Sequence, residues 1–388
     1  MKLPIYLDNH STTQVDPRVV EVMVPFFTEH YGNAASRQHQ FGWYAEEAVE
    51  FTRKKIAQSI NAEPKEIIFT SGATESNNLA LKGIAETSSK KNHIITVATE
   101  HKSILDVCKK LETQGFSVTY LPVDKYGMVN PDVLKNAITE KTMLVSVMFA
   151  NNEIGTIAPI KEIGKICSER EIIFHTDATQ CVGKISVDVQ EMNIHLMSFT
   201  AHKMYGPKGI GALYVRKKNP KINMIAQIDG GGHEQGMRSG TLNVPAIVGF
   251  GKAIEIATSE MQTEMQRIQT LRNELENSLL KLSDTFLNGH PKLRLPNNLN
   301  ISFAGIAPNL LLQSLKKEIA ISSFSACTSS TQTVETISHV LQAIGVKKEL
   351  AQSTLRFGIG RFTTEEEIHY AINKVSEVVE RLREECVV

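Results

Sequence analysis

Residues 194–213 read Ile-His-Leu-Met-Ser-Phe-Thr-Ala-His-Lys-Met-Tyr-Gly-Pro-Lys-Gly-Ile-Gly-Ala-Leu. An apolar strand runs out into Thr200, Ala201, His202 and Lys203, a Pro/Gly turn follows, and a second strand resumes. A lysine at such a strand end can form a Schiff base with an aldehyde cofactor such as pyridoxal phosphate. That chemistry asks the rest of the chain for a phosphate cradle, a carboxylate for the pyridinium nitrogen and a nucleophile.

Candidates for each stand elsewhere. The strand Glu66–Thr70 leads into Ser71-Gly-Ala-Thr-Glu-Ser-Asn-Asn78 and a helical run. Free backbone N–H groups at such a helix start suit an anion, although Ser and Thr there also serve as plain caps. No Gly-Lys-Ser/Thr follows, so it is not a P-loop. Asp177, expected just beyond the strand Glu171–His175, could keep a pyridine nitrogen protonated, or could cap the next helix; Gln180 could reach the phenolic oxygen. His101 follows the strand His93–Ala98 and could stack on a ring and move protons; one of twelve histidines, it could equally be incidental. Thr74, His101, Asp177 and Lys203 all follow predicted strands, and open α/β sheets bind ligands along that carboxyl edge. Cys327 lies in the Ser/Thr-rich stretch 322–333, where no apolar periodicity would bury it. An exposed thiol can ionise and attack, or be a harmless surface group. Arg356 stands among apolar residues, where a carboxylate partner is needed, either a substrate's or an internal one. Residues 229–241 form a polar Gly-rich loop, a surface turn or a phosphate contact across a subunit boundary.

These residues need a frame. Strands Glu66–Thr70, His93–Ala98, Met143–Met148, Glu171–His175, Leu196–Thr200 and Gly211–Val215 alternate with amphipathic stretches such as Ser103–Gln114, which predicts an α/β domain with a mostly parallel sheet. Residues 246–283 read as one long helix. A strand at Leu299–Phe303 and a terminal helix at 364–385, opened by a capping box of Thr364 and Glu367, predict a smaller α+β domain from about 260 to 388. The chain's 388 residues, 41% apolar and 22% charged, suit a globular protein. Lys+Arg and Asp+Glu number 42 each, which argues against nucleic acid or a membrane surface as a general partner. No stretch is apolar enough to span a membrane, and the first residues lack a signal-peptide pattern; the expected address is the cytoplasm. Five cysteines without a Cys-x-x-Cys pair fit a reduced compartment and no zinc site. Cys108, Cys167 and Cys181 read as structural, and Cys386 takes no role.

Tyr6-Leu-Asp-Asn-His-Ser-Thr-Thr13, Ser71 to Asn78, Thr99-Glu-His101, Asn151-Asn-Glu-Ile-Gly155, Thr176-Asp-Ala-Thr-Gln180, Ala201-His-Lys203, Gly236-Met-Arg-Ser-Gly-Thr241 and Ser325-Ala-Cys-Thr-Ser329 run in the order of the cysteine desulfurases. The chain resembles the NifS/IscS type, among the class-V pyridoxal-phosphate enzymes, over nearly its whole length. The resemblance implies a fold-type I architecture with a seven-stranded sheet, residues 15–258 forming a large domain, and residues 1–14 with 259–388 a small domain carrying the cysteine loop. It implies that Lys203 forms the Schiff base and moves the α-proton, and that His101 stacks on the ring and assists proton transfer. Asp177 pairs with the ring nitrogen and Gln180 bonds the phenolic oxygen. Ala73, Thr74, Thr200 and His202 hold the phosphate, with Thr241 reaching the neighbouring subunit's phosphate in a homodimer. Asn152 contacts the cofactor and, with Arg356, holds the substrate carboxylate. Cys327 takes sulfur from L-cysteine as a persulfide, releases alanine and passes the sulfur on for iron–sulfur assembly or tRNA thiolation, with no intrinsic metal and at most a transient iron–sulfur contact at Cys327.

The chain departs from the family in a few places. His195 stands where the family usually has Asp, and Thr200 where it often has Ser. Residues 32–36 lack the usual Pro-Ser after Asn33, so a substrate loop is expected to differ. The chain ends at Val388, short of the extension with which housekeeping members dock the scaffold protein, which leaves the acceptor open. The competing expectations are selenocysteine lyase, or a non-catalytic pyridoxal-binding or sulfur-carrier protein.

Overall fold

Strand-length apolar runs between amphipathic helices leave a sheet little choice but to be covered on both faces. The computed structural model of the protein describes residues 2–87, 90–323 and 337–385. Its strands are β1 (Ile5–Tyr6), β2 (Ile67–Thr70), β3 (His93–Val97), β4 (Ser117–Leu121), β5 (Thr142–Ser146), β6 (Ile173–Asp177), β7 (Leu196–Thr200), β8 (Gly211–Val215), β9 (Thr285–Leu287), β10 (Asn298–Phe303), β11 (Ile319–Ala320) and β12 (Thr354–Gly358). Helices are α1 (Pro17–Met23), α2 (Pro25–Thr28), α3 (Gln40–Ser59), α4 (Ala73–Ala85), α5 (Lys102–Glu112), α6 (Pro131–Ala137), α7 (Ile160–Glu169), α8 (Val244–Leu279), α9 (Leu310–Leu315), α10 (His339–Ala343), α11 (Lys348–Ala351) and α12 (Glu365–Glu385).

Seven strands form one sheet in the order β2-β8-β7-β6-β5-β3-β4. β8 is antiparallel to both neighbours and the other pairs are parallel, so six strands point the same way. The alternation of strand side chains supplies two cores. Ile67, Phe69, Ile95, Val97, Met197, Phe199, Ala212 and Tyr214 pack on one face. Ile68, Ile94, Leu196, Leu213 and Val215 pack on the other.

Most predicted strands shift by a residue or two. The largest correction is β6, which starts at Ile173 because the chain turns at Glu171 with φ of +53°. Asp177 is therefore the last residue of its strand rather than a residue beyond it. β4 has no counterpart in the sequence expectations. It is an edge strand, and unlike β2 at the opposite edge it is largely half-exposed, so Ser-Val-Thr-Tyr-Leu carries no continuous apolar run.

α8 is the long predicted helix. Pro245 stands in its first turn, and the Asn243 side chain accepts from Ala246 N–H at 3.2 Å. Val244 to Ala257 lie in the first core, whereas Met265 to Leu279 lie in a separate one with Ile5, Leu7, β10, β12 and α12. That third core is built on the antiparallel sheet β12-β10-β9 and the parallel pair β1-β11. A small fourth cluster, Ile154, Val340, Leu341, Ile344 and Ala351, seats α10 and α11.

Candidate active site

The carboxyl ends of β2, β3, β6 and β7 open on one cavity of about 440 Å³. Ala73, Thr74, His101, Asn152, Asp177, Gln180, Thr200, His202, Lys203 and Arg356 all line it. Thr241 is exposed and does not. Cys327 falls outside the described residues.

At one end β2 turns through Ser71 and Gly72 into α4. Gly72 has φ of +155°, which favours glycine, and a Cβ on Gly211 would sit 2.7 Å from the Gly72 Cα, so β8 can pass this turn only because Gly211 lacks a side chain. Among the described residues no side chain caps α4. The plain-cap reading of Ser71 and Thr74 is thus not realised, and the uncapped first turn faces the cavity, a setting that favours an anion. Thr200 donates to Ile210 O at 2.9 Å. His202 meets Thr12 Oγ1 at 3.1 Å. Burial, then the Lys203 charge, lower the His202 pKa to about 3, so its ring is neutral at neutral pH.

Across the cavity, Asp177 and His101 are joined through Asn77. Asn77 Nδ2 donates to Asp177 Oδ2 and to Ser103 Oγ, both at 2.8 Å. Ser103 Oγ meets His101 Nδ1 at 2.8 Å, and Ser103 N–H donates to the same nitrogen at 3.2 Å. His101 therefore caps α5, its Nδ1 accepts, and its other ring nitrogen carries the proton when the ring is neutral. Asp177 Oδ1 accepts from Thr179 N–H at 3.0 Å and closes a turn; no helix follows it among the described residues, so the helix-cap reading is not realised, and Oδ2 is left for Asn77. Beneath them the buried Glu100 carboxyl is pushed well up by desolvation and by Asp177. Sequence reasoning missed Asn77 and Ser103; Asn77 stood within a quoted motif without a role.

β7 ends in a tight turn, Ala201–Lys203, from which Lys203 Nζ donates to His10 O and Ser11 O. His10 is the other residue missed. It is fully buried and bonded to Gln180. Arg356 donates to Asn152 O at 3.0 Å, Asp8 Oδ1 at 2.9 Å and Ser11 Oγ at 2.8 Å. The internal ion pair thus exists, yet Arg356 Nε is buried without a partner among the described residues. His195, where the resemblance implies Asp, accepts from Phe174 N–H at 2.9 Å through Nδ1; an imidazole nitrogen serves that strand as a carboxylate oxygen could. Burial, then Arg216, lower its pKa to about 4, which keeps Nδ1 an acceptor. None of residues 32–36 lines the cavity.

An amine, a carboxylate, an imidazole and an uncapped helix N-terminus in one cavity are the donor set pyridoxal phosphate requires. The comparisons with known proteins agree. The model of the class-V aminotransferase family matches residues 5–370. The chain is 53% identical over 386 residues to the cysteine desulfurase IscS of Rickettsia massiliae, covering 99% of this chain and 93% of that one. It is 52% identical over 385 residues to the same-named protein of Rickettsia typhi, with the same coverage. Among solved structures it is similar to a NifS-like protein, with a TM-score of 0.90, 39% identity, and 98% and 100% of the two chains covered. It is also similar to SspA in complex with cysteine, with a TM-score of 0.80, 36% identity, and 92% and 99% covered. The mostly parallel seven-stranded sheet is that of the NifS-like structures, the fold-type I architecture.

Proposed function

This chain belongs to the class-V aminotransferase family, and we propose that it is a pyridoxal-phosphate-dependent L-cysteine desulfurase. The observation that carries the reading is the gathering of Lys203, Asp177, His101 and the α4 N-terminus around one cavity. The cysteine desulfurase relatives at 53% identity support it.

The N-terminus of α4, with Ala73, Thr74, Thr200 and His202, would hold the cofactor phosphate. Asp177 would face the ring nitrogen, Gln180 the phenolic oxygen and His101 the ring face. Pyridoxal phosphate, when bound, supplies the electron sink that makes bond cleavage at the substrate feasible. Arg356, with its spare Nε–H, and Asn152 would orient the substrate carboxylate. Lys203 would take the proton from the substrate α-carbon, and His101 would assist the proton transfers through Nε2. The Cys327 thiolate would attack the substrate sulfur. The new S–S bond forms as the Cβ–S bond breaks, and the net change is cysteine plus the Cys327 thiol giving alanine plus the Cys327 persulfide. The described residues on either side of that cysteine are tied to the site: Ser322 O accepts from Arg356 N–H at 2.7 Å, and His339 Nε2 lies 2.9 Å from Glu100 O.

The same proposal assigns 15–258 to a large domain and 1–14 with 259–388 to a small one, a division supported by the separate cores on the two halves of α8. It places the protein in the cytoplasm; among the described residues no helix is long and apolar enough to cross a membrane. It makes the enzyme a homodimer in which Thr241 serves the partner's phosphate. The exposed Phe27, Trp43, Tyr44 and Phe51 on α2 and α3 support such a contact. The sulfur would pass to an iron–sulfur scaffold or another acceptor protein.

The deciding experiment compares alanine release from cysteine and from selenocysteine, wild type against Cys327→Ala. Turnover of cysteine lost in the variant, with the visible chromophore retained, is expected. Undiminished cysteine turnover in Cys327→Ala would sink the mechanism, and turnover of selenocysteine alone would identify a selenocysteine lyase.

A further inference from the structure

Lys184 is buried, 4% exposed, and no carboxylate pairs with it among the described residues. Its ammonium instead donates to Gln180 O at 3.2 Å and Gln180 Oε1 at 3.3 Å. A buried lysine without a counter-ion is costly, and this one is directed at a single residue of the cavity wall, at both its backbone carbonyl and its side-chain oxygen. The same Oε1 lies 3.1 Å from His10 Nδ1. Gln180 Nε2 donates to His10 O at 3.1 Å.

The polarity of these bonds can be read from one end. Arg294, which can only donate, gives a hydrogen bond to Asn298 Oδ1 at 3.1 Å. That orients Asn298, whose Nδ2 donates to Glu153 O at 3.1 Å and faces His10 Nε2 at 3.1 Å. His10 Nε2 must therefore accept, which leaves the ring proton on Nδ1, pointed at Gln180 Oε1. Burial, then Arg356 and Lys184, hold His10 well below its usual pKa, so the ring is neutral. Gln180 Oε1 thus receives two donors. Turning the carboxamide over would set its NH₂ against both of them. One N–H of Nε2 is left for the cavity.

We propose that Lys184 and His10 are positioning residues that lock the Gln180 carboxamide with its nitrogen toward the cavity, making it a fixed hydrogen-bond donor to the phenolic oxygen of the cofactor. This rests on the proposed function. A fixed donor stabilises the phenolate and makes that oxygen a weaker base. Titratable and charged groups facing the lock are Arg356, Lys203, His202 and Asp177 on the cavity side, and Cys181 and Glu264 on the Lys184 side.

The test is a spectrophotometric pH titration of the visible band of the pyridoxal-phosphate-loaded protein. Lys184→Met, and independently His10→Phe, should raise the midpoint by roughly one pH unit, and Lys184→Arg should restore most of it. In a Gln180→Met background the Lys184→Met shift should vanish. A shift that persists there is a field effect of the lysine charge and overturns the lock. So does an unchanged midpoint in both single variants of a protein that still turns over cysteine. A wild type that takes up no cofactor removes the functional reading, and the lock with it.

Discussion

Asn77 joins the two polar groups on which ring chemistry would depend. Its amide nitrogen bonds the Asp177 carboxylate and, through Ser103, fixes the His101 tautomer. Asn77→Ala would remove a hydrogen bond to a charged group, worth about 1.5–3 kcal/mol. It should lower kcat/KM by roughly 10- to 100-fold in a steady-state alanine assay; a change within twofold would show that Asp177 and His101 need no such link. Lys203→Ala should abolish the visible chromophore on reconstitution, read by absorbance. At this scale Lys203, Asp177 and His101 were legible because strand-end position and side-chain chemistry are both local properties. Asn77, Ser103 and His10 were not. Each matters through a partner between 26 and 288 residues away, and an amide or imidazole in a motif does not announce what it faces.

The elements work by delivering chain ends. Six co-directional strands bring four loops to one edge, and β8 runs back between β2 and β7. That reversal makes Gly72 and Gly211 neighbours. Gly211→Ala would press a methyl to 2.7 Å from the Gly72 Cα and 2.8 Å from Phe199 O. The expected cost is about 1–3 kcal/mol, with cofactor dissociation, followed by fluorescence, faster by tenfold or more. Retention equal to wild type would mean that the turn yields without disturbing the cradle. Ser338 caps α10, accepting from Val340 and Leu341 N–H at 3.1 Å each and donating to Glu153. Ser338→Ala should cost about 1 kcal/mol, visible as a lower urea midpoint, and an unchanged midpoint would mean that the cap contributes nothing. The long helix, the terminal helix and most sheet strands were legible from periodicity. β4 was not, because a half-exposed edge strand has no continuous apolar run, and β6 was displaced because a positive φ at Glu171 starts it late.

For the whole molecule, buried neutral histidines set the acid response. Burial lowers His195 to about 4 and His202 to about 3 from an ordinary 6.5. The unfolded chain binds protons at these sites below about pH 6.5 and the folded chain refuses them. Their contribution is therefore complete above that pH and is lost as pH falls toward 4. Two such groups give a limiting slope of about 3 kcal/mol per pH unit. Urea midpoints should be level from pH 7 to 8 and fall steeply between 6 and 4.5; a flat profile would mean that one or both rings titrate normally. Assembly is testable at the same scale. Phe51, Phe26 and Tyr44 line an open groove with Val248 and Gly251. Phe51→Asp should shift a dimer toward monomer in light scattering at micromolar concentration, whereas an unchanged mass would move the contact elsewhere.

By itself the sequence determined the α/β class, the carboxyl-edge residues and the chemistry they suit, because strand period, turn composition and side-chain type are written locally. Tertiary structure alone decided which of those residues share a cavity, that Arg356 pairs with Asp8 yet keeps Nε–H unpartnered among the described residues, and that His10 and Lys184 close on Gln180. Those outcomes follow from burial and long-range juxtaposition. A buried donor takes whatever acceptor folding brings within about 3 Å, and no spacing along the chain encodes which one that is.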